Sequence, residues 1–117
     1  MEKWAIHYYE DINGECPVRE FIDSRVQRNQ AKIMAFLGLL EERGPSLPRP
    51  YADLLEDGIH ELRVKLSGEQ IRILYFFIFK NQIILTHAFQ KNTAMVPSKE
   101  LRLAKQMRED YIRRFSA

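Results

Sequence analysis

Positions 71–79 read IRILYFFIF, an apolar and aromatic run broken only by Arg72. A strand that shows water on one face alternates apolar with polar residues. A run without alternation belongs to a strand covered on both faces. The stretch is far shorter than the roughly 20 apolar residues that a membrane-spanning helix needs. The chain must therefore build a sheet around this strand and supply cover for both of its sides.

The flanking segments supply the rest of the sheet. Positions 60–66 alternate, with Leu62, Val64 and Leu66 on one face and Glu61, Arg63 and Lys65 on the other. Ser67, Gly68 and Glu69 make a tight hairpin turn into the central run. Lys80 and Asn81 turn the chain again, and positions 82–91 form the last strand. Positions 4–9 (WAIHYY) read as a short strand ending before the Asn13-Gly14 turn signal.

Helices are read from period and punctuation. Pro17 suits a first helical turn, and Val18, Phe21, Ile22 and Val26 give that helix one apolar stripe. A second helix is predicted over 30–43, with Ile33, Phe36, Leu37 and Leu40 on its stripe and Gly44 as its stop. The two together predict a helical hairpin. Positions 44–50 (GPSLPRP) form a proline-stiffened loop, and 51–58 a turn or short helical segment. The final helix, over 98–114, turns Leu101, Ala104, Arg108, Tyr111 and Phe115 to one side. The order β-α-α-β-β-β-α predicts an α+β fold, a mostly antiparallel sheet with an N-terminal helical hairpin and a C-terminal helix.

At 117 residues the chain is expected to be one domain, 1–117. Its net charge of +2 hides an asymmetry. Positions 1–57 hold 7 Lys+Arg against 11 Asp+Glu, and positions 58–117 hold 11 against 5. One face should therefore attract a polyanion. The single cysteine, Cys16, allows no internal disulfide and fits a reducing cytoplasm. The N-terminus reads as neither secretion signal nor membrane anchor, so a cytoplasmic location is expected. No pair of cysteines, no histidine pair at helical spacing and no glycine-rich phosphate loop appears, so neither a metal nor a cofactor is expected.

The candidate chemistry lies on the last three strands. Arg63 and Lys65 share a face, and Arg72 interrupts the most apolar strand, where a guanidinium needs either a partner or a groove. It can bind phosphate through its planar fork, or bridge to Glu61 or Glu69 on the neighbouring strand. His87 has an intrinsic pKa suited to proton transfer, yet it alternates with Ile83, Leu85 and Phe89 and is equally readable as core. Gln90, Lys91 and Thr93 lie at or just past the strand end, where side chains can reach a ligand. Tyr75 belongs to an aromatic block that is mostly core, with a polar tip that can reach a site edge or stack on a base.

The segment GIHELRVKLSGEQIRILYFF, followed by ILTHAFQKNTAMVPSKELRLA, resembles toxins of the RelE/ParE superfamily, in the HigB-like branch that includes phage-derived members. Leu62-Arg63, the run Arg72-Ile73-Leu74-Tyr75, and the segment from His87 to Thr93 before Pro97 carry the resemblance. It spans positions 58–105 closely. Many relatives have two lysines where this chain has Lys91 and then Asn92. The resemblance implies a small RelE-like fold and a toxin of a type II toxin–antitoxin system. It implies an endoribonuclease that cuts mRNA in the ribosomal A site, and a helix-turn-helix antitoxin through which alone the operon DNA is bound. The reaction would be metal-independent attack by the 2′-OH on the adjacent phosphate. Arg63 and Arg72 would hold the phosphate, His87 would move a proton, and Lys91 would assist as a cation. Lys65, Tyr75, Gln90 and Thr93 would bind substrate. Two other readings keep the fold: a non-catalytic inhibitor occupying RNA or the ribosome, and a ParE-type poison of gyrase. The nuclease reading carries a condition. The two guanidiniums must converge on a cavity open to solvent rather than be locked to a buried carboxylate.

Overall fold

The apolar run at 71–79 becomes the middle of the sheet. The computed structural model describes residues 3–92 and 94–115. Its strands are β1 (Ala5–Tyr8), β2 (Ala52–Glu56), β3 (Ile59–Leu66), β4 (Glu69–Ile78) and β5 (Gln82–Gln90), in the order β1-β5-β4-β3-β2. β1 runs parallel to β5, and every other pair is antiparallel. The helices are α1 (Pro17–Asp23), α2 (Gln27–Arg43) and α3 (Ser98–Phe115), with a 3-10 turn at Gly44–Ser46. The fold is α+β, as the periodicity predicts.

Each face of β4 has its own cover. Val18 and Ile22 of α1 and Ile33, Leu37 and Leu40 of α2 bury against Leu62, Val64, Ile73, Tyr75, Ile83 and Leu85. Each such aliphatic side chain contributes about 1.5–3 kcal/mol on full burial, so this layer anchors the domain. On the other face Ala104 of α3 packs with Ile59, Leu74, Phe76 and Ile84, flanked by Leu101, Met107 and Tyr111. That second cluster stops at Leu74 and Phe89. Beyond it, towards the β3–β4 turn, the face carries Arg63, Lys65, Gln70, Arg72 and Lys91.

Three expectations need correction. Positions 51–58 are not helical, because Ala52–Glu56 pairs with β3 as an edge strand. The turn joining them is Asp57-Gly58, with φ of 51° and 78°, a two-residue hairpin turn of the kind Asp-Gly favours. Val26 does not continue the α1 stripe. It caps α2, which starts at Gln27, and is 63% exposed. Arg108 does not join the apolar side of α3 but donates to the Asp57 carbonyl, and Met107 takes the packing position. Cys16 sits buried at the N-cap of α1 and donates its backbone N–H to Glu20, so its thiol is structural here. Among the described residues no helix is long and apolar enough to cross a membrane.

Candidate functional site

Register decides which candidate side chains meet. Arg63 pairs with Arg72, and Arg72 with Phe89. One row deeper, Glu61, Leu74 and His87 stand side by side. One row towards the turn, Lys65 pairs with Gln70, whose carbonyl accepts the Lys91 backbone N–H at 2.8 Å. Residues of one row point to one face, and Leu74 and Phe89 mark that face as the α3 side. Glu61, Arg63, Lys65, Gln70, Arg72, His87 and Lys91 thus form one polar field.

His87 belongs to it because of a bulge. The ladder steps from Leu74–His87 to Tyr75–Leu85, leaving Thr86 as an extra residue on β5. Without that residue His87 would share the face of Ile83 and Leu85, beneath α1 and α2. The bulge turns it, together with Phe89, to the opposite side, so the expected alternation with Ile83 and Leu85 is broken here.

Two guanidiniums directly opposite each other repel. Glu61 resolves the conflict: its Oε2 accepts from Arg63 Nε at 2.9 Å, and its Oε1 lies 3.1 Å from Arg72 Nε. The second contact is an ion pair without an aligned hydrogen bond, for both atoms lack a hydrogen-bond partner. Arg72 instead donates to Gln70 Oε1 at 3.3 Å and to the Ile71 carbonyl at 3.2 Å. Asp53 adds a second carboxylate, 3.2 Å from Arg63 Nη2 and 3.1 Å from Arg49 Nε. Three guanidiniums against two carboxylates leave the cluster net positive. The side chains of Glu61, Arg72 and Arg63 are 2%, 8% and 32% exposed. Burial pushes the Arg72 pKa below its ordinary value, Glu61 opposes that shift, and Arg63 adds to it.

The convergence condition therefore fails, for neither arginine lines the open groove of the field. The arginines share a face and a row, but a single buried carboxylate holds both. Arg72 is an internal ion-pair partner, and an open phosphate clamp does not describe it. Arg63 retains an exposed edge.

His87 is also buried. Its Nε2 lies 3.1 Å from Glu100 Oε1, its Nδ1 3.1 Å from the Thr86 hydroxyl, and its ring stacks on Phe89. The Thr86 hydroxyl can donate to the Leu74 carbonyl at 3.1 Å and accept from Nδ1 only if that nitrogen carries a proton. Donation from both ring nitrogens satisfies every partner, whereas burial favours the neutral ring. Burial wins, and the His87 pKa lies below its ordinary 6.5 despite the raising influence of Glu100.

The open part of the field is a polar groove of about 440 Å³ lined by Lys65, Glu69, Gln70, Gln90, Lys91 and Asn92. Glu69 is occupied by Arg25 at 3.3 Å, so the lysines dominate the local charge. Burial lowers the Lys91 pKa, and the neighbouring Arg72 and Arg63 lower it further. Lys65, Gln90 and Lys91 thus come together as expected.

Tyr75 does not join them. It is 1% exposed on the opposite face, stacked on His60 with ring centroids 5.3 Å apart. Thr93 lies outside the described residues. Sequence reasoning missed Asp53, because its strand was missed, and Glu100, whose place in the first turn of α3 gave no hint of His87. Glu61 was legible as a possible partner of Arg72 through its place beside Arg63. Among the described residues no group of three His, Cys, Asp or Glu converges to hold a metal ion.

Residues 20–109 match the model of the family described as phage derived protein Gp49-like (DUF891). No curated protein matches the chain.

Proposed function

Because the chain belongs to the Gp49-like phage-derived family, a toxin-like family of toxin–antitoxin systems, we propose that it inhibits growth by cutting mRNA in the ribosomal A site. The observation that carries this reading is the graded field on one sheet face: open lysines, then a half-open arginine, then a buried imidazole. In the resemblance drawn from the sequence this is the HigB-like branch of the RelE/ParE toxins. Its antitoxin would be a helix-turn-helix protein that alone binds the operator DNA.

The geometry suggests an order of events. Lys65 and Lys91 attract a backbone phosphate, and Arg63 meets it with its exposed edge. Arg72 holds Glu61 and so keeps Arg63 in place; it is a positioning residue. The substrate's 2′ oxygen attacks the adjacent phosphorus while its proton is accepted, and the P–O5′ bond breaks as the 5′ oxygen is protonated. A 2′,3′-cyclic phosphate and a 5′-OH result. His87, backed by Glu100, is the titratable group of the field suited to these transfers once the ribosomal complex brings substrate to it. The cations stabilise the extra charge that gathers on phosphorus oxygens.

One observation favours a second reading, inhibition by occupancy: both His87 and Arg72 are buried. Primer extension on mRNA from a purified translation system separates the two. The wild-type protein should give discrete cuts within translated codons. Lys65→Ala and Lys91→Ala should each lower cleavage about tenfold, below the 10²–10³ lost with a buried oxyanion donor because Lys65 is exposed and Lys91 only partly buried. Blocked translation with intact mRNA would leave only the occupancy reading.

A further inference from the structure

The end of the sheet remote from Lys65 and Lys91 carries an apolar cavity of about 720 Å³, lined among others by Trp4, Phe77, Phe79, Lys80, Ile112 and Phe115. Its rim breaks the ordinary rule for large apolar side chains: Phe79 is 92% exposed, Phe115 62% and Ile112 44%. Adjacent exposed aromatics of this kind mark interaction surfaces on soluble domains. The walls are built rather than accidental. Trp4 packs edge-on against Phe77 with centroids 5.3 Å apart, and its indole occupies the space beside Gly44 where a Cβ would come within 2.3 Å. Gly44, at φ +54°, is thus required twice, by its backbone and by the tryptophan.

Three features point to a protein partner rather than a small molecule. The cavity opens at the end of the domain, its aromatic rim stands out into solvent, and anchors of this type dominate protein interfaces. Among the described residues Lys80 is the one charged residue lining it, and in the adjoining last turn of α3 Arg113 and Arg114 outnumber the single Asp110 carboxylate that pairs with both, at 2.9 and 2.8 Å. An apolar segment bearing a carboxylate is complementary to that surround. A chain of this family needs a partner that silences it, and this surface leaves the lysine groove uncovered.

We infer that this cavity is where the cognate antitoxin docks, through an apolar segment flanked by acidic residues. The inference rests on the toxin–antitoxin reading. The test is co-expression of the full chain with the product of the neighbouring gene, scored by co-purification, by affinity of the purified pair and by rescue of growth. Phe79→Glu and Phe115→Glu change exposed side chains, so both variants should fold and stay toxic. Each should weaken the complex by at least about tenfold and abolish rescue, and Lys80→Glu should weaken it less. Undiminished binding by both phenylalanine variants would overturn the proposal while leaving the toxin–antitoxin reading standing. Wild-type protein that neither captures nor is rescued by the neighbour would bring down both. Concentration-dependent self-association of the wild type, lost in Phe79→Glu, would assign the surface to a second copy and overturn the proposal.

Discussion

Arg72 and Phe79 lie on the same run of sequence, yet the arginine is 6% exposed and the phenylalanine 92%. Solvation alone would reverse them. The inversion divides the molecule into two ends separated by β4, whose ten residues rise about 3.3 Å each. At one end charge is taken out of water and tied to Glu61; at the other, aromatic surface is left in it. Departures of this kind cost stability, and chains tolerate them where a ligand or partner needs them. The contrast teaches that each end must be probed differently. A substitution of the buried charges at the polar end reports on folding before it reports on chemistry, and one of the exposed aromatics at the apolar end should report on binding alone.

The largest effect expected is on stability, from Arg72→Ala. Removing it leaves Glu61 buried with Arg63 as its remaining partner, so the loss should approach, without reaching, the cost of about 3–5 kcal/mol for a buried charge left unpaired. For a domain of this size the melting temperature should drop by upwards of about 10 °C. Phe79→Ser should change stability by no more than about 0.5 kcal/mol. Chemical denaturation of both variants compares the two ends directly. If Arg72→Ala cost under about 1 kcal/mol, the ion pair would not be holding the face together. The observed burial also means that lost toxicity in this variant counts towards catalysis only after folding is measured. Lys65→Ala and Lys91→Ala carry the cleaner catalytic test.

What the sequence shows and what it hides follow from the range of the interactions involved. Alternation in 60–66 and its absence in 71–79 report burial residue by residue, so the central strands and their covering helices were legible. β2 was not, since Leu54 and Leu55 are adjacent and give no period of two; it is a strand because β3 offers it hydrogen bonds. The Asp57-Gly58 turn was the available local signal. The Thr86 bulge has no local signal, for an extra residue exists only relative to a partner strand. Half of the site turns on it, because it decides which face receives His87. The shared carboxylate was half legible: Glu61 lies two residues from Arg63 on the same face, but its contact with Arg72 needs the register.

A pH series sharpens the comparison within the polar end. His87 and His60 both have pKa values below the ordinary 6.5, chiefly through burial. The unfolded chain therefore binds more protons than the folded one below about pH 6.5. Stability should be level above that pH and fall as the solution is acidified through the lowered values. The fall should shrink in His60→Gln, whose ring lies on the other face, and again in His87→Gln, as read from melting temperatures between pH 7.5 and 5. Stability that rose on acidification would mean that Glu100 outweighs burial and holds His87 charged.

The smallest effect should come from Tyr75→Phe, and it tests the face assignment itself. Tyr75 sits on the central strand beside Leu74, within reach of the site by sequence and across the sheet from it in space. Burial raises its phenol pKa above the ordinary 10.0, so it stays protonated and neutral at physiological pH. Loss of its hydroxyl should cost about 1 kcal/mol of stability or less and leave mRNA cleavage within about twofold of the wild type. A decrease as large as that of the lysine variants would place Tyr75 against substrate. Substrate would then lie on the α1–α2 face of the sheet, and the polar field on the α3 face would not be the site.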